Sequence, residues 1–247
     1  MDSLPMLAAV AAAFLLAGFV KGMIGMGLPT VAIGLLSLLM TPARAAAILV
    51  VPSLVTNVWQ ALAGGDALAL MRRLAPLFAG ICIGTFVGAL WLPSGSGGQA
   101  TVWLGAALVL YAALGLFKVH FKVPPRHETW LGLVMGCLTG ALSVTTGIFV
   151  VPGVPFIQAL DLDRHRLVQA LGLSFTVSTL TLALALSHAG EMRLSLAGAA
   201  LTALAAALIG MVLGQMLRGR VRPETFRLWF FLGLLALGVH LALHGLL

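Results

Sequence analysis

The sequence predicts an all-α polytopic membrane protein, and three observations lead to this fold class. Apolar side chains make up 61% of the 247 residues, charged side chains make up only 9%, and the mean hydropathy is +1.11. A soluble domain carries about 25% charged residues, and a helix needs roughly 20 apolar residues to cross a bilayer. The chain therefore has room for roughly eight to ten helical segments and for no separate soluble domain.

The charge pattern predicts a multi-pass protein of the cell inner (plasma) membrane. The net charge of +7 arises from 14 Lys and Arg against 7 Asp and Glu, and the cations lie in short loops between apolar runs. Cytoplasmic loops of membrane proteins are enriched in Lys and Arg, so we expect a lipid bilayer around the chain and no nucleic-acid partner. Because the chain has only two Cys, a disulfide scaffold is excluded.

Taken in chain order, the apolar runs between loop signals predict ten helical segments. The segments cover residues 5–22, 27–40, 43–64, 72–92, 99–118, 128–144, 148–160, 166–188, 195–217 and 226–246. We interpret the first as part of the structure, because the residues before it lack the positive charge of a signal peptide. The second and the seventh segments are short, and each follows a break.

Both breaks are rich in residues that interrupt helices. The first is the glycine-rich run 22–29, and the second is the run 139–147, which Pro152 and Pro155 follow. At membrane depth a broken helix must be sheltered by protein or line a wet cavity. Both breaks are therefore candidates for a substrate path.

The two halves of the chain resemble each other, which predicts a duplication into transmembrane repeats at residues 1–122 and 123–247. Gly18 and Gly22 match Gly136 and Gly140, and Arg44 matches Arg166. Ser53, Asn57 and Gln60 match Ser174, Ser178 and Thr181. Gly84, Gly88 and Trp103 match Gly210, Gly214 and Trp229. Their shared order along the chain carries more weight than any single match.

An odd number of crossings per repeat predicts that the two repeats are inverted. Each repeat holds five segments or, if its first pair is a re-entrant hairpin, three crossings and a hairpin. Of the 14 Lys and Arg, only Arg44 and Arg193 then fall on one side, and Lys21 lies at membrane depth in the hairpin version. Eight simple crossings would divide the cations almost evenly, against the cytoplasmic bias. We therefore expect both termini on the non-cytoplasmic side, in an architecture common among secondary transporters.

The acidic residues bear on the class of function, because none is expected at mid-membrane. All fall in loops or at segment ends: Asp2, Asp66, Glu128, Asp161, Asp163, Glu191 and Glu224. Cation pumps usually keep a carboxylate inside the membrane, and an intramembrane hydrolase needs an acid–base pair. His240 and His244 lie four residues apart but have no third ligand. We expect no metal, no cofactor and no enzyme activity.

Lys21 is the one cation at a break, and two interpretations of it stay open. Its side chain could extend to the membrane interface from the end of the first segment. Alternatively, it lies beside Gly22, Gly25 and Gly27, where the next helix begins. A helix N-terminus offers free N–H groups and a partial positive charge that suit a small oxyanion, and Lys21 would add a full charge.

The second break offers hydroxyl groups instead of a charge. Its polar residues are Thr139, Ser143, Thr145 and Thr146, with Gly140 among them. Hydroxyls can donate to anionic oxygens, or they can bond to carbonyls of their own helix. Both interpretations stay open for this break.

Two matched polar stripes and two rows of small residues complete the pattern. The stripes, each on one helical face, are Ser53, Asn57 and Gln60 in the first half and Ser174, Ser178 and Thr181 in the second. They would line a substrate path or hydrogen-bond helices to one another. The small-residue rows, which predict close helix packing, are Gly80, Gly84 and Gly88 with Ala206, Gly210 and Gly214.

Several of these runs together resemble the TauE/SafE family of sulfite exporters. They are residues 18–27 with Pro29, residues 42–45 and Asn57 in the first half, and residues 136–140 and 145–147 with Pro152 and Pro155 in the second. The resemblance covers essentially the whole chain, although Met23 and Met26 stand where the family often has further glycines. It implies a small membrane carrier of sulfite, sulfoacetate, thiosulfate or related sulfonates, with the two breaks as the substrate region.

The candidate substrate-binding residues come from both breaks and both stripes. They are Lys21, Gly22, Gly25, Gly27, Asn57, Gln60, Thr139, Gly140, Ser143, Thr145, Thr146, Ser174 and Ser178. We expect a secondary transporter that moves a small sulfur-containing oxyanion by alternating access, with export favoured. The alternatives are a divalent-metal exporter, a non-transporting membrane assembly subunit and an intramembrane enzyme. The sequence leaves open whether two copies form a homodimer.

Overall fold

The computed structural model describes residues 4–91, 98–117, 122–220 and 222–245. Every regular element within these ranges is a helix, which confirms the all-α fold class. In chain order the helices are α1 (Leu4–Ile24), α2 (Leu28–Leu36), α3 (Pro42–Leu62), α4 (Ala67–Arg73), α5 (Ala75–Trp91), α6 (Gly98–Leu116), α7 (Glu128–Thr146), α8 (Gly153–Gln158), α9 (Arg164–His188), α10 (Ala197–Leu217) and α11 (Pro223–His244).

The lengths of these helices agree with a multi-pass membrane protein. Seven are long and apolar enough to cross a membrane, and the bent pair α4–α5 would be an eighth. By contrast, α2 has 9 residues and α8 has 6, which at a rise of about 1.5 Å per residue gives roughly 14 and 9 Å. Because the hydrocarbon core is about 30 Å thick, neither can cross alone. The version in which the second segment of each repeat is a full crossing is therefore wrong.

Two segments differ from the sequence prediction. The segment at 148–160 is helical only over α8, because Gly147 takes a left-handed conformation (φ 72°) that ends α7. Residues 148–151 are non-helical and buried within the protein, as irregular backbone at membrane depth must be. The fourth segment begins earlier than predicted, with α4, which meets α5 at an angle of 62°.

The closest helix contacts join the two halves of the chain. α1 packs on α10, and a Cβ atom built on Gly18 or Gly22 would overlap the carbonyl of Ala207 or Met211. Because the residue numbers rise together along the two helices, this pair is parallel. Small residues at every fourth position permit such an approach of two backbones.

The pair formed by α5 and α7 has the same parallel geometry. A Cβ atom on Gly136 or Gly140 would overlap the carbonyl of Leu77 or Ile81, and one on Gly84 would overlap the carbonyl of Cys137. The predicted small-residue packing is thus confirmed. Each half supplies one helix to each of these two pairs.

Two other helix pairs run antiparallel. Near the start of α9, the Gln169 side chain donates to the carbonyl of Ala61 near the end of α3 at 2.8 Å. Further along α9, the Thr179 hydroxyl lies 3.2 Å from that of Ser53 in the middle of α3. α6 and α11 pack in the same antiparallel sense. In both pairs, the two helices hold corresponding places in the two halves.

Two ion pairs with an N–O distance of 2.6 Å also connect the halves. Arg73 at the end of α4 makes a bidentate pair with Glu128 at the start of α7, with N–O distances of 2.6 and 2.9 Å. Arg166 in α9 pairs with Asp66, which precedes α4, at 2.6 Å. Because both pairs are partly exposed, water screens their charges and weakens the link that they provide.

Candidate substrate site at the first helix break

The side chain of Lys21 points into the protein from the last turn of α1. It is only 4% exposed, and its Nζ donates to Oγ1 of Thr56 at 3.0 Å and to Oδ1 of Asn57, both on α3. The side chain therefore does not extend to the surface, and the interface interpretation of Lys21 is wrong.

The ammonium of Lys21 has no counter-charge among the residues that the structure describes. None of the ion pairs found there includes Lys21. An ammonium has three N–H donors, and the two acceptors on α3 are both neutral. One donor of the ammonium thus remains for a further group.

A network of hydrogen bonds holds Asn57 in the orientation that Lys21 uses. While its Oδ1 accepts from Lys21, its Nδ2 donates to Oγ of Ser53 at 2.9 Å and faces Oγ1 of Thr179 on α9 at 3.4 Å. The first polar stripe therefore joins α3 to α9 as well as to α1. The network fixes the amide so that its oxygen, and not its nitrogen, faces the ammonium.

Two members of this network, Thr56 and Thr179, were not singled out from the sequence. Thr56 donates to the carbonyl of Pro52 at 2.8 Å, which leaves its oxygen lone pair to accept from Lys21. Thr56 lies three residues after Ser53 and four before Gln60, so helical spacing already placed it beside that stripe. Thr179 adjoins Ser178 and had no comparable signal.

The backbone of the first break bends at two glycines with positive φ angles. Gly25 has φ 79° and Gly27 has φ 99°, a region that side chains disfavour. The Nε2 of Gln60 donates to the carbonyl of Gly25 at 3.0 Å and to that of Val168 on α9 at 2.8 Å. Hydrogen bonds therefore connect Lys21 with Asn57 and Gly25 with Gln60. Gly22, in contrast, is a packing position against α10.

The hydroxyls of the second break are occupied within their own helix. Thr139 donates to Met135 at 2.7 Å, Ser143 to Gly140 at 2.7 Å, and both Thr145 and Thr146 to Leu142, at 3.1 and 2.7 Å. A hydroxyl has a single donor, so these groups have none left for an anion in this conformation. The interpretation as local back-bonding describes this break, and Gly140 is a packing position against α5.

The second polar stripe has a different environment from the first. Ser174 and Ser178 are both buried, and within the described residues Oγ of Ser178 has no hydrogen-bond partner. Oγ1 of Thr85 on α5, which lies against Gly140, is buried without a partner in the same way. A buried hydroxyl without a partner is unusual, so these two positions have capacity for a polar group. Thr85 was missed because it stands alone in an apolar run.

An open cavity of about 390 Å³ adjoins this cluster at the ends of α3 and α10 and the start of α9. Its walls include Gln60, and the remaining lining residues are Ala63, Gly64, Arg164, His165, Val168, Gln169 and Arg218. Gln60 thus contacts the break on one side and the cavity on the other.

Potential metal ligands are not gathered in the described part of the chain. No group of three or more His, Cys, Asp or Glu side chains lies close enough there to hold a metal ion. The rings of His240 and His244 stack on each other, with centroids 6.0 Å apart.

Comparisons with known proteins give one match. A family model described as "Sulfite exporter TauE/SafE" matches residues 10–241 of the chain. No curated protein and no solved structure matches it.

Proposed function

The chain belongs to the TauE/SafE family of sulfite exporters, and on this basis we propose that it carries sulfite or an organosulfonate across the bilayer. The observation that carries this proposal is the buried ammonium of Lys21, which has only neutral acceptors on α3. A small anion would supply the missing negative charge.

The electrostatics of this site favour an anion over a cation. Burying a charge is costly unless it is paired, and the oxygens of Thr56 and Asn57 offset that cost only in part. An anion at the third donor of Lys21 would complete the pairing, and the polar break at Gly25 would give it access to water. A cation at the same place would meet a like charge and, among the described side chains there, no carboxylate.

We further propose that the two halves are inverted repeats that alternate in their access to the two sides. The antiparallel packing of α3 with α9 and of α6 with α11 supports this, since corresponding helices of inverted repeats run in opposite directions. With Lys and Arg concentrated on the cytoplasmic side, both termini lie outside the cytoplasm of a cell inner membrane. A homodimer is compatible with this arrangement.

Export is the direction that the membrane potential favours. Moving one charge through 100 mV changes its free energy by about 2.3 kcal/mol, and a dianion leaving a negative cytoplasm gains about twice that. The buried cluster around Lys21 offers no carboxylate for a coupling cation among its hydrogen-bond partners. The proposed cycle therefore needs no second ion.

The test is counterflow in proteoliposomes with sulfite, thiosulfate, sulfoacetate and taurine. Wild type is compared with Lys21→Ala and with the matched control Lys122→Ala, whose side chain is 83% exposed. We expect Lys21→Ala to reduce flux at least about tenfold by lowering the maximal rate, and the control to keep it.

Three outcomes would contradict the proposal, each at a different level. If folded Lys21→Ala carries sulfite at the wild-type rate, the role given to Lys21 is wrong although the carrier function stands. Absence of flux for all the anions with folded wild type would remove the transport function, and a metal-dependent flux would favour the metal-exporter alternative.

A further inference from the structure

The cavity beside Gln60 has an unbalanced positive charge. Arg164 comes from the first turn of α9, Arg218 follows the end of α10, and His165 lies between them in the wall. None of the lining residues is acidic. A cavity of about 390 Å³ is also within the range of ordinary small-molecule sites, roughly 300–1,000 Å³.

The acidic residues nearest to this cavity are already engaged by other groups. Asp163 accepts hydrogen bonds from the backbone N–H groups of His165 and Arg166, and this capping lowers the pKa of its carboxyl. Asp66 pairs with Arg166 at 2.6 Å. Within the described residues, neither Arg164 nor Arg218 takes part in an ion pair.

The guanidinium of Arg164 affects that of Arg218. Two causes lower the pKa of Arg218. The larger is its partial burial, and the smaller is repulsion from the charge of Arg164. Two like charges in a partly desolvated cavity raise its electrostatic potential. An anion between them would relieve the repulsion, and a guanidinium can bind the oxygens of a sulfonate in the way it binds a phosphate or carboxylate.

Gln60 connects the cavity wall to the first helix break by a hydrogen bond. Gln60 lines the cavity, and its Nε2 donates to the carbonyl of Gly25. The N–H of Gly25 in turn donates to the carbonyl of Lys21 at 2.7 Å. Gln60 and the backbone turn at Gly25 thus lie between the cavity and the buried network of Lys21.

We propose that this cavity is a second anion site, in which Arg164 and Arg218 capture a sulfonate or sulfite ion before it passes Gln60 towards Lys21. The order of events rests on the proposed function, whereas the binding of an organosulfonate in the cavity can be measured without transport. The site raises the local concentration of the anion, so it acts on the apparent affinity and not on the maximal rate.

The direct test uses a cysteine at the exposed position Ala63 in a Cys82→Ala/Cys137→Ala background. Its rate of modification is measured with a sulfonated, anionic methanethiosulfonate reagent and with a neutral one of similar size. We expect the anionic-to-neutral rate ratio to fall about tenfold in Arg164→Gln/Arg218→Gln, as for a steering charge. Arg164→Lys/Arg218→Lys should keep the ratio, and sulfoacetate should slow modification of the parent.

A matched control removes two cations from the same part of the chain. Arg72→Gln/Arg220→Gln changes the net charge equally but leaves the cavity wall intact. If this control lowers the rate ratio as much as the Arg164/Arg218 variant does, the effect is one of general surface charge and the capture site is wrong. An unchanged ratio in the Arg164/Arg218 variant would overturn it as well.

Transport measurements distinguish a failure of the capture site from a failure of the proposed function. Arg164→Gln/Arg218→Gln should raise the half-saturating sulfite concentration about tenfold with the maximal rate retained, whereas Lys21→Ala lowers the maximal rate. If wild type carries no anion but the rate ratio depends on the two arginines, the function fails and the binding site stands. If wild type carries sulfite and the arginine variant has the same half-saturating concentration, the capture site fails and the function stands.

Discussion

Asn57 determines how the charge of Lys21 is presented. The amide oxygen accepts from the ammonium, and the amide nitrogen is held by Ser53 and Thr179. This arrangement stabilises Lys21 without neutralising it, because an amide carries no net charge. A carboxylate in the same place would instead form a buried ion pair with Lys21, and a substrate anion would then have to compete with it.

Asn57→Asp is therefore expected to reduce anion transport strongly without unfolding the protein. The new carboxylate satisfies Lys21 directly, so sulfite counterflow should fall at least about tenfold, or 1.4 kcal/mol in binding. Thermal melting in detergent should show that the fold is retained. Gln158→Glu makes the same amide-to-carboxylate change at an exposed position and should transport normally. Normal sulfite flux in folded Asn57→Asp would contradict the site.

At this scale, composition and spacing predicted part of the candidate site but not all of it. Lys21, Asn57 and Gln60 could be found because charged and amide side chains are rare in apolar helices, and Gly25 because it lies in a glycine-rich run. The hydroxyls of Thr139 and Ser143 could not be assigned, since a Thr or Ser in a helix reaches a carbonyl of its own preceding turn as easily as a ligand. Only the three-dimensional structure shows which acceptor each hydroxyl uses.

Among the elements, the parallel pairs α1–α10 and α5–α7 depend on residues without a side chain. Their backbones touch at glycines, so any Cβ atom would overlap a carbonyl. Gly233 on α11 offers the opposite case, because no atom lies within 4 Å of a Cβ built there. Replacing Gly by Ala should therefore have opposite consequences at the glycines of these close pairs and at Gly233 on α11.

Gly84→Ala should destabilise the protein, whereas Gly233→Ala should not. Overpacking a close contact costs about 1–3 kcal/mol, so we expect the melting temperature of Gly84→Ala in detergent to fall by several degrees and its monodisperse yield to drop. Gly233→Ala should match or exceed wild type, since Ala favours a helix over Gly by about 1 kcal/mol. Equal melting temperatures for the two variants would show that the backbones are not in contact.

The hydropathy pattern predicted where most helical segments lie, but it could not predict the backbone conformation within each segment. The apolar run 148–160 contains only the short α8, because apolar residues can also be buried in an irregular segment that neighbouring helices cover. α4 was missed because its seven residues follow directly on Gly64, Gly65 and Asp66, a sequence typical of a loop. Apolarity indicates burial, whereas the turn residues around it decide where a helix starts.

For the whole molecule, the relative orientation of the two halves bears on the proposed transport by alternating access. Antiparallel pairing of α3 with α9 places the loop after α3 and the loop after α9 at opposite ends of this pair. Gly65 lies in the first of these loops and Ala189 in the second. The duplication itself, with its boundary at residues 122 and 123, stays a prediction.

Single cysteines in these loops should be labelled from opposite sides of the membrane. In a Cys82→Ala/Cys137→Ala background, we expect Gly65→Cys and Gly219→Cys to react with an impermeant maleimide only from the cytoplasmic side, and Ala189→Cys only from the other. All three positions are exposed. Labelling of positions 65 and 189 from the same side would exclude the inverted arrangement.

Each half of the chain supplies one helix to each of the two parallel pairs, so dividing the chain between the halves would separate both pairs. A fragment ending before α7 would keep α1 and α5 but expose the glycine faces that α10 and α7 cover in the intact protein. Such a fragment could recover those surfaces only from a second polypeptide inserted alongside it. An ancestor half this length would therefore have been an obligate pair of chains, and fusion into one gene would have fixed their stoichiometry.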